Sequence, residues 1–251
     1  MKRLILTGVV VLTAGLSGLF AQAPAQPKIK SNGERKAVLA IQAALQSGDP
    51  GAVIKASEDL LNNYADSDYK AYALTMEAKA YQSKGDLDNA QVFADRVLQI
   101  DPKAYTMQLL IAEAITPNIK EHDLNYADEI AKCTKLFSDA IENAKVAAKP
   151  NPQLSDELWE NNKKFAQAEA YNGLGMLATI DKKPDAALKD FQLAVENDPD
   201  QDAYSTRLAN AYLSAGKKGE ALAICDKLLA KPTLDPRIKS VVTSLKNAAS
   251  H

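Results

Sequence analysis

The chain has little of what covalent, metal or redox chemistry requires. It holds two histidines, two cysteines and one tryptophan in 251 residues. His122 lies in a stretch without helical patterning and His251 is the final residue, and neither has companions at metal-ligand spacing. There is no nucleophile elbow, no glycine-rich phosphate loop and no zinc motif. Asn172-Gly173-Leu174-Gly175 contains a Gly-x-Gly, but it falls inside a helical pattern. The acidic pairs Asp66/Asp68 and Asp86/Asp88 lack the glycine and distal glutamate of a calcium loop and read as solvated turns. No metal and no cofactor is expected, and an enzyme is the weaker reading.

Other absences bound the fold. The 30 basic and 32 acidic side chains leave a net charge of −2, with no basic stripe, so no nucleic-acid partner is expected. Glycine and proline are sparse at 11 each, they fall mostly between helical patterns, and β-branched runs are scarce after Val11. With 46% hydrophobic and 25% charged residues this is a folding composition, and it points to an all-α protein.

The N-terminus carries a targeting pattern. Met1-Lys2-Arg3 is followed by an uncharged stretch over residues 4–20, then by Ala21-Gln22-Ala23. That is the layout of a secretory signal peptide spanning residues 1–23. Pro24 disfavours cleavage directly after Ala23, so Ala21 and Ala25 stay open as cleavage points. The apolar stretch is short and diluted by Gly8, Gly15 and Gly18, whereas a spanning helix wants about 20 apolar residues. No stable membrane insertion is expected once the leader is removed. Residues 24–32 read as a flexible tether.

Beyond the tether the chain matches itself. Leu174, Gly175, Ala178, Ala187, Phe191 and Ala194 recur 34 positions later as Leu208, Ala209, Tyr212, Ala221, Cys225 and Leu228. A fixed period in this range is the signature of a solenoid of stacked helix pairs. Three units are clear, at 71–102, 168–199 and 202–232, with turns at Ser83-Lys84-Gly85-Asp86, Asp181-Lys182-Lys183-Pro184-Asp185 and Ala215-Gly216-Lys217. Small residues at Ala78, Gly175 and Ala209 let the two helices of a unit approach closely, as do Ala90, Ala187 and Ala221 opposite them. Divergent units are expected at 34–66 and 103–167. The second of these breaks the period: Ala78 and Gly175 are 97 positions apart, five short of three repeats. It reads as one helix over 104–115 and an unusually long one over 124–146, followed after Pro150 and Pro152 by a helix through Trp159 and Phe165 into the 168 unit. Trp159 is expected to pack between helices. A capping helix over 236–249 closes the array, with Ile238, Val241, Val242 and Leu245 as its apolar stripe. Cys225 occupies the core slot of Phe191, about two repeats from Cys133. A disulfide needs Cα atoms within about 7 Å, so two buried thiols are expected.

These units resemble the tetratricopeptide repeat family. The position of the family's tryptophan is Leu74, Tyr171 and Ser205 here, and Glu77 stands where a leucine is usual. The resemblance implies an all-α, right-handed superhelical solenoid of antiparallel helix pairs. The join Tyr64-Ala65-Asp66-Ser67-Asp68-Tyr69 is similar to long connections in bacterial envelope members, which with the leader implies an exported, periplasmic, bacterial protein. In such a stack the first helices line the concave groove. Its candidate partner-binding residues are Thr75, Lys79, Gln82, Asn172, Met176, Thr179, Thr206, Asn210 and Leu213. The asparagines would bond an extended peptide backbone, and Met176 and Leu213 would take apolar side chains. The family's clamp for a C-terminal carboxylate needs several cations, and only Lys79 and Arg207 are at hand, so that specificity is not carried over. The resulting expectation is a non-catalytic scaffold binding a protein or peptide. The alternative is a self-associating structural envelope protein that forms homo-oligomers.

Overall fold

The computed structural model describes residues 27–250; the leader and its cleavage point lie outside them. The described residues form eleven α-helices and one short 3-10 turn, with no strand. They fall into two compact units, the first ending at Pro102 and including residues 148–155, the second holding residues 103–147 and everything from Asp156 onward.

The first unit contains α1 (Asn32–Ser47), α2 (Pro50–Asn63), α3 (Lys70–Ser83) and α4 (Leu87–Ile100). Each helix packs on the next, and α1 also touches α3, which is the stacking rule of helix-pair repeats. Ser31 caps α1 by accepting a hydrogen bond from the Glu34 N–H at 3.0 Å, and Gly48 closes it at φ 71°. Asp49 and Pro50 then start α2, as their sequence order dictates. Residues 27–31, read above as part of a tether, are held here. The Tyr69 hydroxyl donates to the Pro27 carbonyl, the Lys28 N–H donates to Asp68, and Ile29 packs on the Val38, Ile41 and Leu60 core.

Two glutamates of this unit are wholly buried, with opposite consequences. Glu34, 1% exposed, accepts from the Ser67 hydroxyl at 2.6 Å and from the Lys30 N–H, which hold its carboxyl below the usual range. Glu77 on α3 is 0% exposed, and neither carboxylate oxygen has a partner. Burial, reinforced by the charge of Glu58 and opposed by Arg96, pushes it up to about 7.

The second unit contains α5 (Tyr105–Ile115), the 3-10 turn Thr116–Asn118, α6 (Tyr126–Val146), α7 (Asp156–Ile180), α8 (Pro184–Asn197), α9 (Asp202–Ser214), α10 (Lys218–Leu229) and α11 (Pro236–Ser250). Its irregular part is α5, α6 and the first half of α7. Phe137 on α6 is fully buried and lies over the bare backbone of Gly173, while Trp159 donates its ring N–H to the Ala147 carbonyl at 3.2 Å. Cys133 and Cys225 are free, buried thiols. The capping helix starts where Asp235 accepts from the Arg237 N–H at 2.8 Å. Its stripe needs one correction. Val242 is buried and Ile238 and Leu245 pack beside it, but Val241 is 51% exposed, because one turn of a terminal helix presents only one of two adjacent valines inward.

The three regular turns share one geometry. The N–H groups of Asp86, Lys183 and Lys217 reach back to the carbonyls of Tyr81, Ala178 and Tyr212 at 3.0, 2.8 and 2.9 Å. This six-to-one bond ends a helix through a left-handed residue. That residue is Gly85 (φ 76°) and Gly216 (φ 73°) in two units, and Lys182 (φ 56°) in the third.

Candidate functional site

In the second unit the turn after α7 and the facing surfaces of α8 and α9 enclose a pocket of about 200 Å³. Ala187, Phe191 and Ala211 make its apolar floor, and Thr179, Asn210 and Ser214 make a polar rim beside the Lys182–Lys183 turn. The sequence explains why the space exists. Alanine at 187 and 211 leaves a gap that larger side chains would fill, and Pro184, at the start of α8, lines it. Both lysines are engaged at the surface, Lys182 with Glu121 and Lys183 with Asp181, each at 2.6 Å. Exposed pairs of this kind hold weakly and exchange readily.

Of the groove residues expected in this unit, Thr179 and Asn210 are exposed and meet at the pocket. Met176 and Leu213 are half-buried. The expectation of an exposed face fails at Asn172 and Thr206, both 9% exposed. The Asn172 carbonyl oxygen accepts from Arg207 of α9 at 3.0 Å, and its amide nitrogen points at the Met176 sulfur at 3.7 Å. The Thr206 hydroxyl is turned back onto the Asp202 carbonyl at 2.7 Å. Asn172 is therefore part of the wall that fixes Arg207. In the first unit Thr75 and Lys79 are half-buried and Gln82 is exposed.

Phe191, Ser214 and the Lys182 turn were not in the sequence-derived set. Phe191 carries a core signature, and only the shortness of its alanine neighbours marks it as a pocket floor. Glu113 on α5 and Glu169 on α7 form a hydrogen-bonded carboxyl pair that holds Glu113 well above the usual carboxylate range, through burial first and the facing charge second. The pair is not among the residues lining the pocket. His122 lies exposed in the turn before α6, and no group of three or more potential metal ligands occurs among the described residues.

Two comparisons bear on this architecture. Family models of the tetratricopeptide repeat match residues 71–104 and residues 178–245. Between them the matched segments contain all three of the turns just described. These two segments are tetratricopeptide repeats. No curated protein matches its sequence. Among solved structures it is similar to TTC0263, a thermophilic TPR protein in Thermus thermophilus, with 18% identity, a TM-score of 0.55, and 84% of this chain and 98% of that chain covered. It is also similar to MamA from Desulfovibrio magneticus RS-1, with 13% identity, a TM-score of 0.57, and 86% and 98% covered. Identities this low show a shared fold. Tetratricopeptide repeats are protein-interaction scaffolds, and that is the class of function to which the chain belongs. No helix among the described residues is long and apolar enough to cross a membrane.

Proposed function

We propose that this repeat protein is an exported bacterial scaffold without chemistry of its own, and that it holds an extended segment of a partner protein across the first helices of its second unit. The observation that carries the reading is the pocket between Phe191 and Asn210. Its apolar floor suits one aliphatic or aromatic side chain. The Asn210 amide and the Ser214 hydroxyl on its rim suit the peptide backbone on either side, while the Thr179 hydroxyl, which donates to the Gly175 carbonyl at 2.8 Å, is left to accept. Export rests on the leader pattern of residues 1–23.

A photo-crosslinking residue at Asn210, with Asn247 on the capping helix as control, tests the binding mode in cells. A discrete partner captured from position 210 alone supports it. Capture of a second copy of the chain from that position transfers the reading to a self-associating structural protein. Fractionation with mass spectrometry of the mature N-terminus tests export: a start after residue 21, 23 or 25 is expected, and an intact Met1 in the cytoplasm overturns it.

A further inference from the structure

Buried polar atoms in folded proteins nearly always find partners, and each exception asks for a physical reason. Among the described residues, the buried side-chain oxygens without one are those of Ser57, Tyr72 and Glu77. All three residues lie on α2 and α3, so this unsatisfied polarity is concentrated in one seam of the first unit. The most consequential is Glu77, which has no exposure and two free carboxylate oxygens.

The charged groups around Glu77 act in opposite directions. From α2 it faces Glu58, which repels a charge there; from α4 it faces Arg96, which attracts one. Tyr81, on its own helix, also senses Glu77. From α1 the contact to α3 is apolar, through Ala37, Val38 and Ile41. Arg96 is not bonded to Glu77. Its guanidinium sits 5.1 Å over the Phe93 ring, and Phe93 stacks on Tyr81 at 5.4 Å with the ring planes 10° apart. The seam thus has two arrangements open to it. With Glu77 neutral, the helices close over it and Arg96 rests on the aromatic stack. With Glu77 ionised, a bare buried charge is intolerable, and relief comes from parting α3 and α4 so that the carboxylate meets Arg96 or water.

We propose that the α2–α3–α4 seam is a proton-controlled clasp, closed while Glu77 is neutral and loosened when it ionises. Its range lies near neutrality, where burial has placed the carboxyl of Glu77 at about 7. Since α3 also carries Thr75, Lys79 and Gln82, loosening the seam alters the presentation of that face. The device does not depend on the pocket of the second unit and stands or falls separately from it.

The test uses the full chain, and its readout is local because Glu113, the other raised carboxyl group on a glutamate, lies on α5. Carboxyl-carbon NMR of glutamate-labelled protein, assigned with Glu77→Gln, gives the midpoint for Glu77 directly. Amide hydrogen exchange of α3 and α4, corrected for the intrinsic pH dependence, gives the opening. Linkage sets the size of the effect: opening of α3 and α4 rises roughly 30-fold between pH 5.5 and 8 in the unmodified chain. In Glu77→Gln, and in Glu77→Leu as a second variant should the amide fold poorly, opening is flat over the same range. A Glu77 midpoint in the ordinary range near 4.5, or the same rise in exchange in either variant, overturns the proposal.

Discussion

In the first unit α3 brings a carboxyl group into the core and gives it nothing to bond. In the second unit α7 brings two bare glycine backbones against phenyl rings. A Cβ on Gly173 would stand 2.2 Å from Phe137, and one on Gly175 would stand 2.7 Å from Phe191. At Glu77 the polarity is wrong, and at Gly173 and Gly175 the polarity is right but there is no room. A leucine should therefore have opposite effects in the two, relieving the first and wrecking the second. The glutamates within the first unit repeat the lesson on a smaller scale. Burial itself does not set the cost of Glu34 and Glu77, since both are fully enclosed. The hydroxyl of Ser67 and the N–H of Lys30 make the difference.

The comparison is easiest to break at Gly173. Gly173→Leu should cost about 3 kcal/mol or more, because Phe137 is fully buried and has nowhere to retreat. Equilibrium denaturation of that variant with less than half this loss would show that the α6–α7 seam can part. Gly175→Leu should be milder, at about 1–3 kcal/mol, since Phe191 borders the pocket and can swing toward it. An unchanged melting temperature there would mean the helix register is misread.

Glu77→Leu should act in the other direction, and its size should depend on pH. Below pH 4.5 the carboxyl is protonated in both folded and unfolded chains, and the proton linkage contributes nothing. Between 4.5 and about 7 the unfolded chain releases its proton first, so wild-type stability falls; above that the deficit is constant. The variant should then gain about 1–3 kcal/mol over wild type at pH 8 and less at pH 5. Equal gains at both would assign the effect to packing alone. Ser67→Ala should cost about 1–2 kcal/mol at pH 7 by stripping Glu34 of its hydroxyl donor. The sign of its pH dependence is reversed. The lowered carboxyl of Glu34 stabilises the fold above the ordinary value, and that benefit fades as pH falls through the folded value, so acid titration should narrow the gap to wild type. The smallest effect is expected at the strained turn. Lys182→Gly removes a left-handed conformation costing about 1 kcal/mol and gives up an exposed ion pair with Glu121, leaving a net gain of a few tenths to ~1 kcal/mol in the melting curve.

The helices were legible because their punctuation is local. Gly48, Asp49 and Pro50 stop and restart the chain in three consecutive residues, and Gly85 and Gly216 mark two turns outright. The third turn is marked by Asp181-Lys182-Lys183-Pro184-Asp185, in which Lys182 conceals its left-handed conformation. What the sequence withheld were relations between helices that no periodicity encodes. Asn172 looks like a groove residue until Arg207 arrives from α9 to occupy it. Glu77 was visible as a departure from the usual leucine, but its isolation depends on where Glu58 and Arg96 stand. Val241 and Val242 are equivalent to a hydrophobicity pattern and unequal in the stack.

Repeat arrays are ordinarily modular, and units can be added or removed at their joins. The 25-residue α7 forbids that here. Its first half seats Trp159 and Lys163 against the end of α6, and its second half is the opening helix of a regular repeat. No join exists at position 168 where an engineer could cut. A cut within α7 therefore breaks both the seat of Trp159 on the end of α6 and the repeat that α7 forms with α8.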